Sequence, residues 1–453
     1  MPSVFTDRLC AAVHACDGGN AAMRALIGRA IVDTLGVAAA GFAEPVTRLA
    51  LGAYRGNGAA TWSGAACESD EAAVMIDAIA AHALDFDDVF LDSAIHPSTV
   101  ILPAILRSGR DHAPEEIVAA FGAGLIAAQA VAARVGLGHY HKGWHGTGTI
   151  GAFAAAAAAG RLRKLDERQL AAMFSIVASQ SAGLKVNFGT MTKPAHAGFA
   201  AAAGVRAAHL AQAGFTAAAD IFGPGGYAEL YGTPDGREEP ADEVYYVRAD
   251  KVALKLYPCC YGAHRLIGIA LDARTAQGGM FSDERIQIRV TVPKGNTDVL
   301  RYDRPRTGLE AKFSAPYSIA VALLDGLPTL DHFTDAATSR ADVTACMERI
   351  IVIQDAAQES GGDIEFGTVT LDVIDGVGQS CGSFNRRAIP GSPDDPPSAA
   401  DMLAKFQTST AIFQRAFGTP FPILQQATAI AEVRPWLQNA DDNPVKQRAA
   451  GGR

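Results

Sequence analysis

The 453-residue chain lacks an excess of basic side chains, since 39 Lys and Arg residues stand against 48 Asp and Glu residues. The formal net charge of −9 is the reverse of the broad positive surface that attracts nucleic acid or anionic lipid. We therefore expect neither a nucleic-acid partner nor a membrane partner. Any anionic ligand has to be attracted by a local site.

Long stretches of strongly apolar residues are also missing. The longest apolar runs, at 151–160 and 195–214, are rich in Ala and Gly and contain interruptions. Such runs favour close helix packing over a membrane span, which needs about 18 or more strongly apolar residues. The first residues lack the basic flank, apolar stretch and cleavage signal of a secretory leader, so we expect a cytoplasmic protein.

Cysteine is sparse, and its spacing shows no pairing. The seven cysteines are an odd number, and none of them has a spacing typical of metal ligands. Cys259 and Cys260 are adjacent, and neighbours in sequence seldom form a disulfide with each other. The pattern therefore predicts neither a disulfide framework nor a cysteine-based metal site.

Small and apolar residues are abundant: 49% of the chain is hydrophobic and only 19% is charged. The chain can bury a large core, and its length exceeds what one core usually serves, so we expect two domains. Up to about residue 240 the pattern is helical, as Ile27, Ile31 and Leu35 show by recurring at every fourth position. Similar Ala-rich helical segments follow near 71–84, 113–133, 147–160, 167–183 and 196–213.

Beyond residue 240 the pattern changes to alternation. Apolar and polar residues alternate over 286–292 and over 369–373, as in strands with one buried face. Helical segments near 260–276 and 312–326 lie among these strands, which predicts an α+β unit. The Pro-rich stretch 389–401 has the composition of a linker, after which the chain returns to helix.

The first candidate site is an acidic segment at the end of an apolar helix. Asp85, Asp87, Asp88 and Asp92 are crowded there, with His96 close behind. Such crowded carboxylates repel one another unless they cap backbone groups, meet cations or bind a metal. The spacing lacks the rest of an EF-hand loop, so calcium is a weak interpretation, and bracing of a loop stays the alternative.

The second candidate is a Gly-rich helix start. Gly146, Gly148 and Gly151 match the letters of a dinucleotide fingerprint, but that motif requires a strand directly before it. The preceding residues contain histidines and no hydrophobic run, so we expect no dinucleotide. A free helix N-terminus at Gly146 and Thr147 instead favours an anion such as a carboxylate. His145 lies at its mouth, where an imidazole can exchange protons near neutral pH.

His139, His141 and His145 also have a spacing that could hold zinc if one loop gathered all three. No HExxH motif or cysteine set accompanies them in the sequence. A single histidine near a helix start is the simpler interpretation, so we expect no metal here.

Further candidates lie where helices begin. Lys193 precedes an Ala-rich helix, where its charge makes a seat for a carboxylate; a solvated lysine is the alternative. Lys255, Cys260 and His264 lie where a strand pattern stops and a helix begins, and they could face one pocket. Tyr317 precedes another apolar helix, where a tyrosine more often packs than reacts.

Seven segments, taken in order, resemble the MmgE/PrpD family. Each segment alone is weak, but their order and spacing extend through most of the chain. The segments are DTLGVAAAG at 33–41, AHALDFDD at 81–88, HPS at 96–98, HGTGTIG at 145–151, KPAHAG at 193–198, KLYPCCYGAH at 255–264 and EAKFSAPYSIAVALLDG at 310–326.

The resemblance implies a mainly α fold: an all-helical domain of the N- and C-terminal segments with an inserted α+β lid domain. The all-helical domain would comprise 1–251 and 392–453, and the lid domain would comprise 252–391. The resemblance further implies a homodimer that needs no cofactor and no metal. Its ligand would be a small-molecule di- or tricarboxylate substrate, bound between the two domains.

The resemblance also implies the active-site positions. The catalytic residues would be Asp85, His96, His145, Lys193 and Tyr317. The substrate-binding residues would be Lys255, His264, Cys260, Gly146 and Thr147. One histidine would remove a proton next to a carboxylate and the other would protonate the leaving group, while lysines hold the carboxylates.

The reaction we expect is dehydration of a 2-methylcitrate-like hydroxy acid. Epimerisation of an iminodisuccinate-like dicarboxylate and decarboxylation of a cis-aconitate-like acid are the alternatives, and a carboxylate-binding protein without activity is a fourth. Two departures from the family pattern bear on this choice. Val89 and Phe90 stand where many relatives have Thr and a bulky or imidazole side chain, and Cys260 stands where the decarboxylase branch has a histidine.

Overall fold

The computed structural model describes residues 4–106, 112–233, 236, 239–359 and 364–441. The N-terminal half consists mainly of helices. In chain order they are α1 (Val4–Ala15), α2 (Ala21–Gly41), α3 (Pro45–Ala53), α4 (Asp70–His82), α5 (Pro97–Leu106), α6 (Pro114–Val135), α7 (Gly138–His141), α8 (Gly146–Leu162), α9 (Glu167–Ala178), α10 (Thr192–Gln212) and α11 (Tyr227–Tyr231).

Short two-stranded pairs accompany these helices, and a larger sheet follows them. The strands in chain order are β1 (Ala59–Ala60), β2 (Ala66–Cys67), β3 (Val89–Phe90), β4 (Val252–Ala253), β5 (Gln287–Lys294), β6 (Ile350–Glu359), β7 (Val369–Ile374) and β8 (Ser380–Arg386). The later helices are α12 (His264–Gln277), α13 (Gly308–Ala311), α14 (Ala315–Leu324), α15 (Asp335–Thr338), α16 (Ala341–Met347), α17 (Ala399–Phe417), α18 (Ile423–Ala427) and α19 (Arg434–Asp441).

Small residues let α4, α8 and α10 approach one another closely. A Cβ at Gly204 of α10 would lie 2.6 Å from the Ala155 Cβ of α8. A Cβ at Gly198 would lie 2.7 Å from the Met75 carbonyl oxygen of α4. Such separations are shorter than ordinary van der Waals contact, so both crossings require glycine. Helix α10 therefore packs directly on both neighbours.

One helix, α6, is long and apolar enough to cross a membrane by length and composition. Its most apolar 18-residue window is 89% buried inside the protein. A core helix of a globular protein has the same character, since a helix that is hydrophobic on all sides must be buried on all sides.

The first hydrophobic core, here called the helical core, combines helices from both ends of the chain. Phe42, directly after α2, has its ring 6.4 Å from the Phe413 ring of α17 and 5.7 Å from the Phe421 ring. These residues belong to one buried cluster with α4, α6, α8 and α10. The C-terminal helices therefore complete the core that the N-terminal helices begin.

The second core, here called the α+β core, lies between a four-stranded sheet and helices α12 and α14. The strand order is β6-β5-β7-β8, with β5 parallel to β6 and the other pairs antiparallel. Ile288, Val290 and Val292 of β5 are buried, whereas Gln287 and Arg289 are exposed. The alternation in the sequence thus gives the sheet one face that packs on the helices.

The prediction of a mainly α fold is confirmed, and the strands predicted over 286–292 and 369–373 are present as β5 and β7. The domain boundaries after residues 251 and 391 stay a prediction. Residues 1–3 and 442–453 of the predicted helical domain lie outside the described residues.

Candidate active site

Three helix ends meet at the candidate active site. Helix α4 ends at His82, α8 begins directly after His145, and α10 begins at Thr192, next to Lys193. The packing of α10 on both α4 and α8 brings these ends together. The starts of α8 and α10 add the partial positive charge of a helix N-terminus, which favours an anion.

After α4 the chain makes a tight turn that directs carboxylates inward. Asp85 has a φ of +52°, in the left-handed region that Asp tolerates better than most residues. Asp85, Asp87 and Asp88 have exposed fractions of only 3%, 0% and 0%. Buried carboxylates need cations or hydrogen-bond donors, and each of the three has a different set.

Two ammonium groups from distant segments hold the Asp85 carboxylate. Lys193 Nζ lies 2.9 Å from Asp85 Oδ2. Lys255 Nζ donates to Asp85 Oδ1 and, over 3.0 Å, to the Asp85 carbonyl oxygen. Burial opposes ionisation of Asp85, but the two lysines outweigh it and hold the pKa of this carboxyl well below its usual range. The three side chains together carry an excess of positive charge.

A third ammonium group reaches the same turn. Lys312, shortly before α14, donates to the Leu84 carbonyl oxygen over 2.8 Å, and burial lowers its pKa. Lys193 comes from the helical core, whereas Lys255 and Lys312 come from the part of the chain that builds the α+β core. The site therefore lies where the two cores meet.

Hydrogen-bond acceptors near His96 determine which of its ring nitrogens carries the hydrogen. Its Nδ1 lies 2.8 Å from the Asp88 carbonyl oxygen and 3.2 Å from Asp87 Oδ2. A carbonyl and an ionised carboxylate only accept, so Nδ1 carries the hydrogen and Nε2 carries a lone pair. Burial lowers the pKa of His96, which keeps the ring neutral near neutral pH.

His82 shares the Asp87 carboxylate with His96. Its Nδ1 lies 2.8 Å from Asp87 Oδ2, and its Nε2 has no hydrogen-bond partner among the described residues. The centroid of its ring lies 4.6 Å from that of His96 and 5.9 Å from that of His145. Burial lowers the pKa of His82 to about 3. Asp87 thus fixes two imidazoles in the same tautomer.

His145 is the third imidazole of the cluster. Its backbone N–H donates to the Gly183 carbonyl oxygen over 3.0 Å, and its Nδ1 lies 3.0 Å from His196 Nδ1. Its Nε2 has no hydrogen-bond partner among the described residues. Burial, with the nearby charge of Lys193, holds the pKa of His145 well below its usual value. The Phe188 ring packs edge-on against it at 4.8 Å.

Gly146 and Thr147 support the His96 segment from the first turn of α8. Thr147 Oγ1 accepts from the His96 N–H over 3.1 Å, and a Cβ at Gly146 would lie 2.6 Å from Ile95 Cγ2. Their contact with a substrate stays a prediction. The residues shortly before α8 form the helix α7, so the strand that a dinucleotide site requires does not stand there.

Besides Lys255, three residues were expected to reach the site from the predicted lid domain: Cys260, His264 and Tyr317. Their side chains have different surroundings. Cys260 is half-buried, its N–H donates to the Lys312 carbonyl oxygen over 3.0 Å, and burial raises the pKa of its thiol to about 11. Cys260 is therefore near the lysines but is a neutral thiol. His264 is different: its ring nitrogens face the carbonyl oxygens of Tyr257, at 3.1 Å, and Pro390, at 3.4 Å.

Tyr317 is not brought to the histidines and lysines either. Its hydroxyl donates to the His332 carbonyl oxygen, and its ring packs 5.9 Å from that of Phe333 in the α+β core. The cause is local: Ser314 Oγ caps α14 by accepting from the Tyr317 N–H over 3.2 Å, which directs the first turn into that core. The ring nitrogens of His264 and the hydroxyl of Tyr317 thus face backbone carbonyl oxygens, and their roles in binding and catalysis stay predictions.

Sequence reasoning missed or undervalued several members of the site. His82 and His196 were not among the expected site residues, and Asp87 was interpreted only as part of the acidic segment. A usable signal was present, because AHALDFDD places His82 three residues before Asp85 at the end of an apolar helix. A buried histidine beside acidic residues needs a partner, which is grounds for suspecting a His–Asp pair.

A metal fits the site poorly. Donor atoms of His82, Asp85, Asp87 and His96 lie within 4.8 Å of one another. Asp85 is already bound by two ammonium groups, and Asp87 Oδ2 faces two N–H groups, so an added cation would meet positive charge.

The histidines with a spacing that could hold zinc do not form a site either. The ring nitrogens of His139 lie 2.8 Å from the Tyr231 carbonyl oxygen and from Thr149 Oγ1, so both are already hydrogen-bonded.

A small cavity lies between the helical part and the α+β part, on the side of Cys260. Its volume is ≈ 60 Å³, and its lining includes Tyr140 and Lys185 from one side and Asn296 and Val299 from the other. Pockets that hold small molecules usually measure about 300 Å³ or more. The histidines and lysines that surround Asp85 do not line this cavity, so it lies beside the candidate site.

The fold and the site define a class: a mainly helical protein in which buried histidines lie beside two lysines paired on one carboxylate. Residues 8–238 match the MmgE/PrpD N-terminal domain, and residues 257–416 match the MmgE/PrpD C-terminal domain. The chain belongs to the MmgE/PrpD family. The resemblance carried by the seven sequence segments is confirmed.

Several cis-aconitate decarboxylases are similar to the chain over much of its length. The protein from Mus musculus is 24% identical over 355 residues, which cover 74% of this chain and 71% of the relative. The protein from Homo sapiens is 25% identical over 370 residues, which cover 77% and 76%. The protein from Aspergillus terreus is 24% identical over 339 residues, which cover 67% and 68%. The chain is thus a member of a family of carboxylate lyases.

Proposed function

We propose that the protein is a cofactor-independent dehydratase of a small hydroxylated di- or tricarboxylate of the 2-methylcitrate type. The observation that carries this proposal is the fixed tautomer of His96. Its Nδ1–H faces the Asp88 carbonyl oxygen at 2.8 Å, which leaves Nε2 as a proton acceptor. A ring nitrogen of His96 also lies within 4.8 Å of an Asp85 carboxylate oxygen, next to the two lysines.

Dehydration needs a base, an acid and positive charge, and the cluster contains all three. His96 Nε2 takes the proton from the carbon next to a substrate carboxylate. The electron pair of that C–H bond forms the double bond while the C–O bond breaks, and His145 Nε2 gives a proton to the departing hydroxide, which leaves as water. Lys193 and Lys255 hold the carboxylate on which negative charge develops.

Asp85 and Asp87 position these groups without reacting. Asp85 keeps the Lys193 and Lys255 ammonium groups side by side, and Asp87 keeps the Nδ1–H of His96 in place. Such supporting contacts orient the reacting groups and set their basicity.

The second candidate is decarboxylation of a cis-aconitate-like acid, and the names of the three relatives favour it. That reaction needs no base, because loss of CO2 leaves the carbanion directly and one acid then protonates it. A decarboxylase would make no use of His96 as a base. In addition, this chain has Cys260 where the decarboxylase branch has a histidine. These two features place dehydration first.

The test is turnover in D2O by the purified protein, followed by proton NMR with citrate, 2-methylcitrate, cis-aconitate, malate and iminodisuccinate. Dehydration gives an unsaturated acid from a hydroxy acid, decarboxylation gives a deuterated product and CO2, and epimerisation gives deuterium at an inverted centre. Either of the last two results would replace the proposed reaction. Ligand-dependent thermal stabilisation without turnover or exchange would favour a carboxylate-binding protein.

A further inference from the structure

His145 and His196 are joined by a hydrogen bond between a ring nitrogen of each. The two Nδ1 atoms lie 3.0 Å apart, and the side chains are 51 positions apart in the sequence. Both residues are buried, with exposed fractions of 1% and 4%. A hydrogen bond between two ring nitrogens requires one N–H and one lone pair, so the two rings hold opposite tautomers at these atoms.

Both rings of this pair are neutral near neutral pH. Burial lowers the pKa of His196 to about 4, and the nearby charge of Lys193 acts in the same direction. Burial and Lys193 also hold the pKa of His145 well below its usual value. With one hydrogen per ring, the direction of the bond decides whether His145 Nε2 carries a proton or a lone pair.

The surroundings favour donation from His196 to His145. His82 and His96 both present a bare Nε2, because Asp87 and the Asp88 carbonyl oxygen take their Nδ1–H groups. The His145 ring is stacked at 5.9 Å on that of His82. A bare Nε2 on His145 would leave the cluster with three proton acceptors at Nε2, whereas an N–H there supplies the one proton donor among them.

We propose that His196 is a positioning residue that donates its Nδ1–H to His145 Nδ1 and so keeps the proton of His145 on Nε2. This inference rests on the proposed function, in which His145 Nε2 protonates the leaving group. His96 and His145 then have different roles. Asp87 and the Asp88 carbonyl oxygen leave His96 Nε2 free to accept a proton, whereas His196 keeps a proton on His145 Nε2.

The tautomer is measured directly on the substrate-free protein, labelled with ¹⁵N in its 11 histidines. The ¹⁵N shifts of His145 are assigned by the signals that disappear in His145→Asn. We expect a protonated Nε2 and an unprotonated Nδ1. A protonated Nδ1 on His145 would overturn the inference. This measurement needs no turnover, so it stands even if the wild-type protein acts on none of the carboxylates.

Kinetics of two variants separate positioning from packing. His196→Ala removes the donor and should lower kcat by about 10- to 100-fold with little change in KM, as loss of a group that orients a catalytic histidine does. His196→Asn keeps an amide N–H near the position of Nδ1 and should recover about tenfold of that loss. Equal activity of the two variants would contradict a donor role.

The matched control is His209→Asn, on the exposed side of the same helix. We expect it to leave kcat and KM unchanged. If His196→Ala does not fold, two measurements still test the inference. They are the comparison of His196→Asn with the wild-type protein and the ¹⁵N shifts of His145. If the wild-type protein has no turnover while His145 is protonated on Nε2, the proposed function fails and the tautomer assignment survives.

Discussion

At the residue scale, the Asp85 carboxylate is the anion on which the buried lysines depend. It is bound by Lys193 and Lys255 and is 3% exposed. Removing one partner of a buried ion pair leaves an uncompensated charge, which costs far more than losing a surface pair. The contribution of Asp85 to stability is therefore separable from any role in turnover.

Asp85→Asn removes this charge and keeps both the size of the side chain and its tolerance of positive φ. We expect the free energy of unfolding to fall by about 3–5 kcal/mol, since two buried ammonium groups lose their anion. Urea denaturation measures the change. The control is Asp92→Asn at a half-exposed pair with Lys251, which should cost about 1 kcal/mol or less. Equal losses in the two variants would contradict the account.

His96→Asn tests the base. An asparagine amide can donate to the Asp88 carbonyl oxygen as His96 Nδ1 does, but it has no basic nitrogen. We expect kcat to fall by about 10²- to 10⁴-fold while the thermal midpoint stays close to that of the wild-type protein. Steady-state kinetics and a thermal melt measure both. A variant with unchanged kcat would exclude His96 as the base.

At the element scale, helix α17 ties the two chain segments of the site together. Lys405 Nζ donates to the carbonyl oxygens of Phe86, at 2.6 Å, and Lys255, at 2.9 Å. It also lies 2.6 Å from Asp33 Oδ1 of α2. One ammonium group thus fixes the backbone beside Asp85 and the backbone of Lys255.

Lys405→Met keeps the length of the side chain and removes all three contacts. We expect a loss of about 3–5 kcal/mol in the free energy of unfolding, because Asp33 is left buried without its cation. Adding Asp33→Asn should recover part of this loss, since the unpaired charge is then gone. A double-mutant cycle in urea gives the coupling. Strictly additive losses would show that the two side chains act independently.

The sequence predicts much of the site, but not which side chain enters which core. Asp85, Lys193 and Lys255, which the resemblance implies belong to one site, are in contact, whereas the sequence suggested that the lysines hold a substrate carboxylate. Tyr317 and His264 lie in motifs of the same family, but local capping and backbone carbonyl oxygens hold their side chains in the structure. The helical period of the sequence predicts that a segment is an apolar helix. It does not predict which other element of the fold packs on that helix.

Two omissions have a different physical cause. His82 resembles a core histidine in an apolar helix, and only the turn at Asp85 brings Asp87 back to it. Lys405 lies on an amphipathic helix, 150 positions after Lys255. A local sequence pattern cannot predict that these two residues are in contact, because the pattern depends only on neighbours in the sequence. The helices and the alternating strands were predictable because each depends on residues close in sequence.

At the scale of the whole molecule, buried neutral histidines make the fold sensitive to acid. The six buried histidines whose pKa is lowered by burial are His82, His96, His139, His145, His196 and His264. Below about pH 6.5 the unfolded chain binds protons that the folded protein does not, until the lowered pKa values are reached. The free energy of unfolding therefore falls as pH falls through this window.

We expect the urea midpoint to drop between pH 7.5 and pH 5.5. His264→Gln removes one of the six groups and should reduce the slope by up to about 1.4 kcal/mol per pH unit. His141→Gln, at an exposed position, should leave the slope unchanged. A midpoint independent of pH over this range would contradict the burial of neutral imidazoles.

The joining of both chain ends in the helical core has a consequence for biosynthesis. A ribosome releases the segment around Phe42 long before the segment around Phe413 and Phe421, so the first helices emerge with their apolar faces unmatched. The α+β core, drawn from the middle of the chain, is fully synthesised before the core that starts first. The nascent protein therefore passes through a stage in which the apolar side of α2 still lacks the C-terminal helices that cover it in the folded chain.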